Sequence, residues 1–117
     1  MSIKVYGIKN CNTMKKTFDF LTEKGVDYDF IDYKREKPDA VLLEGFLKKT
    51  DLSSLVNKKG TTYRKMTDDQ KSALENEETA IPVLEENSSM IKRPVIVYKD
   101  GSIGLGFDPE EIEGHLR

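Results

Sequence analysis

The N-terminal third of the chain has an apolar–polar pattern that predicts a strand, a helix and a second strand. Residues 3–7 alternate as a half-buried strand does, and the aromatic-rich residues 28–33 predict another strand. Between them, apolar residues recur at helical spacing, at Met14, Phe18 and Leu21. Gly25 is suited to end this helix in a left-handed conformation. A strand, helix and strand within about thirty residues predict a βαβ unit with parallel strands.

The middle of the chain has helical periodicity. Residues 38–49 predict a helix whose core face is formed by Leu42, Leu43, Phe46 and Leu47. A second helix is predicted over residues 67–76, because it opens with a Thr-x-x-Gln capping box. Residues 80–86 predict a third, short helix, in which Pro82 is tolerated only in the first turn.

The C-terminal part returns to strands and ends in a helix. Residues 95–98 are almost purely apolar and predict a buried strand. The Asp-Gly pair at 100–101 is a hairpin signal, so residues 102–105 are expected to pair antiparallel with that strand. Asp108, followed by a proline and two acids, predicts a final helix over residues 109–116.

The order of elements is therefore β-α-β, a helical region, and β-β-α. This is the connectivity of an α/β, thioredoxin-like (glutaredoxin-like) fold, a four-stranded mixed sheet with an inserted helical region. We expect one domain over residues 1–117, with the core of the fold at about 1–34 and 87–117 and the insertion at about 38–86. In that architecture the loop before the third strand, which holds Pro94, faces the loop after the first. We expect the peptide bond before Pro94 to be cis, a trans proline at the start of a strand being the alternative.

Composition narrows the class of protein. The 117 residues are 37% hydrophobic and 34% charged, and no apolar run approaches the length of about 20 that spans a bilayer. The N-terminus leads straight into a strand and does not resemble a signal peptide. A single cysteine excludes an internal disulfide, so we expect a cytoplasmic protein. No long apolar stripe is left over outside the core, so we expect a monomer.

The distribution of charge is more informative than its sum. The net charge of −2 argues against direct binding of nucleic acid. Residues 9–16, 57–66 and 87–99 contain no acids, yet they hold ten of the nineteen lysines and arginines. If folding brings them together, they form an electropositive site for an anionic ligand. The alternative is three solvated loops that lack acids, and charge alone does not separate the two.

Cys11, the only cysteine, lies at the junction of the first strand and the first helix. The N–H groups and the dipole of a helix start favour a thiolate, and Lys15 adds a cation one turn later. A reactive thiol is therefore the preferred interpretation, with a small apolar filler as the alternative. The lone His115 lies in the last helical turn, so we predict no metal site.

Five segments carry a resemblance to a known family. They are Tyr-Gly-Ile-Lys-Asn-Cys-Asn-Thr-Met-Lys-Lys at 6–16, Asp-Tyr-Lys at 32–34, residues 57–64, Ile-Lys-Arg-Pro-Val at 91–95, and the tail at 104–112. With them the chain resembles the arsenate reductase (ArsC)/Spx family over nearly its whole length. Within that family it is similar to the YffB-like and Spx/MgsR-like members.

The resemblance implies roles for named residues. Cys11 would be the nucleophile, Arg64 and Arg93 would stabilise a bound oxyanion, and the N–H groups around Asn12 and Thr13 would cradle it. Two further residues would have a structural role at the site, Asn10 and Pro94. The implied reductant is glutathione or another low-molecular-weight thiol, or a glutaredoxin, with no bound cofactor and no metal.

Two positions depart from the family patterns. Arsenate reductases of this type have a third arginine after the final hairpin, where this chain has Gly-Phe-Asp-Pro at 106–109. Spx regulators have a C-x-x-C redox switch, whose second position here is Met14. The first hypothesis is therefore a thiol-dependent reductase with one nucleophilic cysteine, with arsenate reduction as a narrower form. The other is an Spx-like regulator that binds the RNA polymerase α subunit without a redox switch.

Overall fold

The computed structural model describes residues 3–116, and its sheet has the predicted topology. The strands are β1 (Ile3–Gly7), β2 (Tyr28–Asp32), β3 (Val95–Val97) and β4 (Ile103–Leu105). They lie in the order β2-β1-β3-β4. β1 and β2 are parallel, whereas β3 is antiparallel to both β1 and β4. The prediction of a mixed α/β sheet is confirmed.

The helices are α1 (Asn12–Glu23), α2 (Ala40–Leu47), α3 (Leu52–Leu55), α4 (Thr61–Arg64), α5 (Asp68–Ala73), α6 (Glu77–Glu86) and α7 (Pro109–Leu116). A 3₁₀ turn at Ser88–Met90 follows α6. Within residues 3–116, no helix is both long enough and apolar enough to cross a membrane.

The backbone packs as two compact units. One holds the residues up to Glu36 together with those from Arg93 onward, and the other holds Lys37–Lys92. We call them the sheet unit and the helical unit. Residues 87–92 lie in the helical unit, although the sequence assigned them to the core of the fold. The reason is backbone pairing between segments distant in sequence: Asn57 N–H donates to the Met90 carbonyl at 2.6 Å, and Lys92 N–H donates to that of Leu55 at 2.7 Å.

The sheet unit has one apolar core. It joins side chains from β1, α1, the β3 segment and α7, namely Ile3, Val5, Met14, Leu21, Ile96, Tyr98 and Ile112. Since one cluster contains residues of both helices, α1 and α7 pack on the same face of the sheet. Complete burial of a Leu or Ile contributes about 1.5–3 kcal/mol, so these contacts hold α1 firmly against β1.

A local signal ends α1, and a packing contact fixes its first turn. Gly25 has φ +68°, and its N–H donates to the Thr22 carbonyl while that of Val26 donates to the Leu21 carbonyl, each at 3.0 Å. This is a Schellman motif, and it confirms Gly25 as the helix stop. At the other end, a Cβ placed on Gly7 would lie 2.5 Å from Met14 Sδ. The first turn of α1 therefore packs directly on the end of β1.

Side-chain caps define the helical unit. The Asp39 carboxylate accepts Leu42 N–H at 2.9 Å, and Thr67 and Gln70 form the predicted capping box. The third predicted helix is present as α6 and ends at Glu86, but its predicted start was wrong, because the helix begins at Glu77 and Pro82 lies in its second turn. Asn76 explains the difference: its side chain accepts Glu78 N–H at 2.9 Å and starts the helix earlier. α5 consequently ends at Ala73.

The hairpin and the last helix follow their sequence signals. Gly101 has φ +88°, and its N–H donates to the Tyr98 carbonyl at 3.0 Å in the turn between β3 and β4. The Asp108 carboxylate accepts Glu111 N–H at 3.3 Å, with Pro109 at the first position of α7. Both predictions are confirmed.

Candidate functional site

Cys11 lies in the turn between β1 and α1. Its backbone is extended, with φ −139° and ψ 132°, and it is the N-cap residue of α1. Its carbonyl oxygen accepts Lys15 N–H at 3.0 Å. The side chain is half-buried and makes no cap hydrogen bond. The sulfur therefore lies beside N–H groups of the first helical turn that have no partner within the helix.

Opposing effects act on the pKa of the Cys11 thiol. Burial raises it, and this is the largest single effect. The backbone N–H groups of Met14 and Thr13, the charge of Arg93 and the Thr13 hydroxyl all lower it. Their sum outweighs burial, so the pKa lies below that of an ordinary cysteine.

Arg93 reaches this site through the register of the sheet. Val95 pairs with Tyr6 near the end of β1, so the residues before Val95 lie beside the loop that carries Cys11. The Arg93–Pro94 peptide bond is cis, as expected. The Pro94 carbonyl accepts Gly106 N–H at 2.9 Å, which ties this segment to the end of β4. Arg93 is half-buried and is the cation that acts on Cys11.

Comparison with known proteins shows the family of this chain. The model of the ArsC family matches residues 6–115. The chain belongs to the ArsC family. An uncharacterized protein from Haemophilus influenzae is 37% identical over 111 residues, which cover 95% of this chain and 96% of the relative.

Two solved structures are also similar to this ArsC-family chain. The structure of a YffB protein is 38% identical, with a TM-score of 0.92 over 99% of this chain and 100% of the other. An arsenate reductase (ArsC) related protein from Brucella melitensis is 42% identical, with a TM-score of 0.76 over 100% and 96% of the two chains. The predicted family and the thioredoxin-like fold are therefore confirmed.

Apolar packing occupies both positions at which the sequence analysis found a departure from the patterns of arsenate reductases and Spx regulators. Met14, at the second position of the Spx switch, is 0% exposed and belongs to the core of the sheet unit. Phe107, in the segment where arsenate reductases have a third arginine, packs edge-on against Phe20 with ring centroids 5.9 Å apart. These two positions contribute to packing and carry no charge or thiol.

The remaining predicted site residues are distributed over both units. Thr13 is half-buried next to the sulfur, whereas Asn10 and Asn12 are exposed in the same loop and first turn. Arg64 is exposed on α4 in the helical unit. Roles in oxyanion binding for Asn12, Thr13, Arg64 and Arg93, and a structural role for Asn10, stay predictions.

Part of the acid-free sequence is brought together within the helical unit. The Thr62 and Ser89 hydroxyls lie 3.1 Å apart, so residues 57–66 and 87–92 are neighbours. Beside them is a cavity of about 310 Å³, lined by Thr61, Thr62, Lys65, Met66, Gln70 and Asn87. A single electropositive site built from all three acid-free stretches stays a prediction.

A larger cavity opens in the sheet unit, at the edge of the sheet that also carries Cys11. It has a volume of about 500 Å³ and is lined by Lys9, Phe30, Asp32, Arg35 and Glu36. The carboxyl ends of β1 and β2 meet here, since Gly7 pairs with Asp32. The sequence analysis placed Lys9 in an acid-free stretch and Asp32 in a segment of the family resemblance, but it predicted no cavity here. Their position at the ends of two parallel strands is the signal that it missed.

Proposed function

We propose that this protein is a thiol-dependent reductase that uses Cys11 as its only nucleophile. An external thiol, glutathione or another low-molecular-weight thiol, is the reductant. The observation that carries the proposal is the position of the Cys11 thiol, which faces the first-turn N–H groups of α1 and Arg93, the groups that lower its pKa. Membership of the ArsC family and the resemblance to an arsenate reductase (ArsC) related protein support it.

The proposed cycle needs two equivalents of the external thiol. The Cys11 thiolate attacks one sulfur of a disulfide substrate, so that a mixed disulfide forms and the other sulfur leaves as a thiolate. The first external thiolate then attacks the mixed disulfide and frees one of its two sulfurs. When the external sulfur bonds to the substrate sulfur, a new mixed disulfide forms between them and the Cys11 thiolate is released. The second external thiolate attacks the remaining mixed disulfide at its external sulfur. The substrate sulfur leaves as a thiolate, so that the substrate is reduced and the external thiol is oxidised to its disulfide.

Charged side chains near Cys11 suit a peptide thiol. Arg93 and the first-turn N–H groups stabilise the attacking and leaving thiolates. Lys9 and Arg35 can pair with carboxylates, and Asp32 and Glu36 with an ammonium group, in the 500 Å³ cavity of the sheet unit. Glutathione carries charges of both signs. We expect the reaction to occur in the cytoplasm, where thiol pools are kept reduced.

Incubation with oxidised glutathione tests the proposal. Because Cys11 is the only cysteine, an intact-mass increase of one glutathionyl group identifies the mixed disulfide. We expect a complete adduct at millimolar concentrations, its reversal by reduced glutathione, and no adduct on Cys11→Ser. An unmodified wild-type protein contradicts the proposal, as does reduction of hydroxyethyl disulfide at the same rate by wild type and Cys11→Ser.

The same protein allows the narrower and the alternative hypotheses to be tested. Arsenite release with glutathione and glutaredoxin, greater than that of Cys11→Ser, identifies arsenate as a substrate. The Spx-like alternative is not favoured, because the comparisons point to the ArsC family and to an arsenate reductase (ArsC) related protein. Capture of the RNA polymerase α subunit, undiminished in Cys11→Ser, supports that alternative.

A further inference from the structure

A buried hydroxyl lies one helical turn below the candidate site. Thr17 is 0% exposed, and a hydroxyl enclosed in this way is unfavourable unless it is hydrogen-bonded. Its Oγ1 donates to the Thr13 carbonyl oxygen at 2.8 Å. Threonines in helix interiors can bond in this way to the carbonyl four residues earlier. Here that carbonyl belongs to the first turn of α1, next to Cys11.

The carbonyl that Thr17 contacts and the N–H that faces Cys11 are two ends of one peptide group. A planar trans peptide group holds its C=O and N–H in opposite directions, so that the orientation of one determines that of the other. The carbonyl of Thr13 is bonded to the nitrogen of Met14. The Met14 N–H acts on the Cys11 sulfur more strongly than any other favourable group in its surroundings.

We propose that Thr17 is a positioning residue for Cys11, because its hydroxyl holds and polarises the Thr13–Met14 peptide group and so aims the Met14 N–H at the Cys11 sulfur. A hydrogen bond to a carbonyl makes the N–H of the same peptide group a stronger donor, since hydrogen bonds in a chain polarise one another. The functional meaning of this contact rests on the proposed role of Cys11 as the nucleophile. The contact itself does not depend on that role.

Three variants separate the hydroxyl from the rest of the side chain. Thr17→Val keeps the shape and removes the hydroxyl, Thr17→Ser keeps the hydroxyl and removes the methyl group, and Thr17→Ala removes both. The readout is the pKa of the Cys11 thiol, from the pH dependence of its alkylation by iodoacetamide. With one cysteine in the chain, the alkylation rate reports on Cys11 alone.

We expect Thr17→Val and Thr17→Ala to raise the pKa of Cys11 by about 0.3–0.5, which lowers the thiolate fraction below that pKa two- to threefold. Thr17→Ser is expected to keep the wild-type pKa. Circular dichroism confirms folding, and Thr17→Ala replaces Thr17→Val if the latter does not fold. An unchanged pKa in the folded hydroxyl-free variant overturns the inference, and so does an equal rise in Thr17→Ser.

The two proposals fail in different ways. If wild-type Cys11 does not form a mixed disulfide with oxidised glutathione, the proposed function is wrong, but a rise in pKa in Thr17→Val still establishes the contact. If the mixed disulfide forms and the pKa does not respond to loss of the hydroxyl, only the role of Thr17 is wrong.

Discussion

At the scale of single residues, the chemistry of Cys11 depends on a balance between burial and nearby positive charge. Burial disfavours a charged sulfur, but the half-buried side chain leaves this effect smaller than the sum of the opposing ones. Two backbone N–H groups and one hydroxyl come from the first turn of α1, and Arg93 comes from a distant part of the sequence. The thiolate is therefore stabilised by three groups that are near Cys11 in sequence and by one charge that only folding brings to it.

Removal of the non-local charge tests this balance. We expect Arg93→Gln to raise the pKa of Cys11 by about 0.5–1, the size of a partly screened interaction between neighbouring charges. Alkylation at a pH below the pKa of Cys11 then slows about three- to tenfold. Arg93→Lys is expected to retain most of the effect. Lys99→Gln, at the opposite end of β3, is the matched control and leaves the rate unchanged; an equal effect in both variants contradicts the assignment.

The depressed pKa of Cys11 also predicts how stability changes with pH. A thiol whose pKa is lower in the folded than in the unfolded state stabilises the fold above its unfolded pKa, and this stabilisation is lost as pH falls through the folded pKa. Urea unfolding measures the free energy of unfolding of wild type and of Cys11→Ser. As pH rises from about 5 to about 9, we expect this free energy to increase for wild type relative to the variant. A pH-independent difference contradicts a depressed pKa.

At the scale of elements, close contact between β1 and α1 holds the first turn in place. A side chain on Gly7 would overlap Met14, which is itself enclosed in the core. Met14 thus contributes in two ways: its N–H faces Cys11 and its side chain seats the helix on the strand. This is why the local dipoles at Cys11 are held in a constant orientation.

Gly7→Ala tests the contact between these elements. We expect it to lower the free energy of unfolding by about 1–3 kcal/mol through overpacking. In a Met14→Ala background the same substitution is expected to have a smaller effect, because the two side chains then no longer collide. The matched control is Gly45→Ala in α2, where the added Cβ meets nothing within 4 Å. That control is expected to stabilise the protein by about 0.5–1 kcal/mol.

Equal destabilisation by Gly7→Ala in the two backgrounds contradicts this description of the contact. Thermal or urea unfolding measures all four variants, and the glutathione adduct of each folded variant shows whether Cys11 remains accessible. We expect Met14→Ala alone to lower the free energy of unfolding by about 2–5 kcal/mol. The double variant is therefore best measured at low temperature, where it remains folded.

At the scale of the whole molecule, an acidic chain with a net charge of −2 is proposed to act on an anionic thiol. This is favourable only if the local potential at Cys11 is positive. In the sheet unit, Arg93 lies beside Cys11, and the cavity at the same edge of the sheet is lined by Lys9 and Arg35 as well as by Asp32 and Glu36. The sign of the local potential can be measured from the effect of salt on the reaction rate.

Salt is expected to slow mixed-disulfide formation with anionic oxidised glutathione severalfold between about 20 mM and 500 mM, because it screens the attraction. The rate with neutral hydroxyethyl disulfide is the control and is expected to stay nearly constant. Lys9→Ala combined with Arg35→Ala is expected to reduce the salt dependence for glutathione. A rate that rises with salt contradicts an electropositive site.

The sequence was most informative where a structural signal is local. Gly25, Thr67 with Gln70, and Asp108 with Pro109 each act within one turn of their own position, and the structure has them as predicted. The start of α6 was missed although its signal is equally local. Pro82 was given more weight there than the Asn76 cap and the acids that follow it. In the structure the helix begins directly after the Asn76 cap.

By itself the sequence determined the fold and the position of the candidate nucleophile, because apolar periodicity, caps and turn residues act over short distances. Only the tertiary structure brought Arg93 to Cys11 and placed residues 87–92 in the helical unit. These depend on strand register and on the direction of individual side chains. Neither is encoded in a short window of sequence.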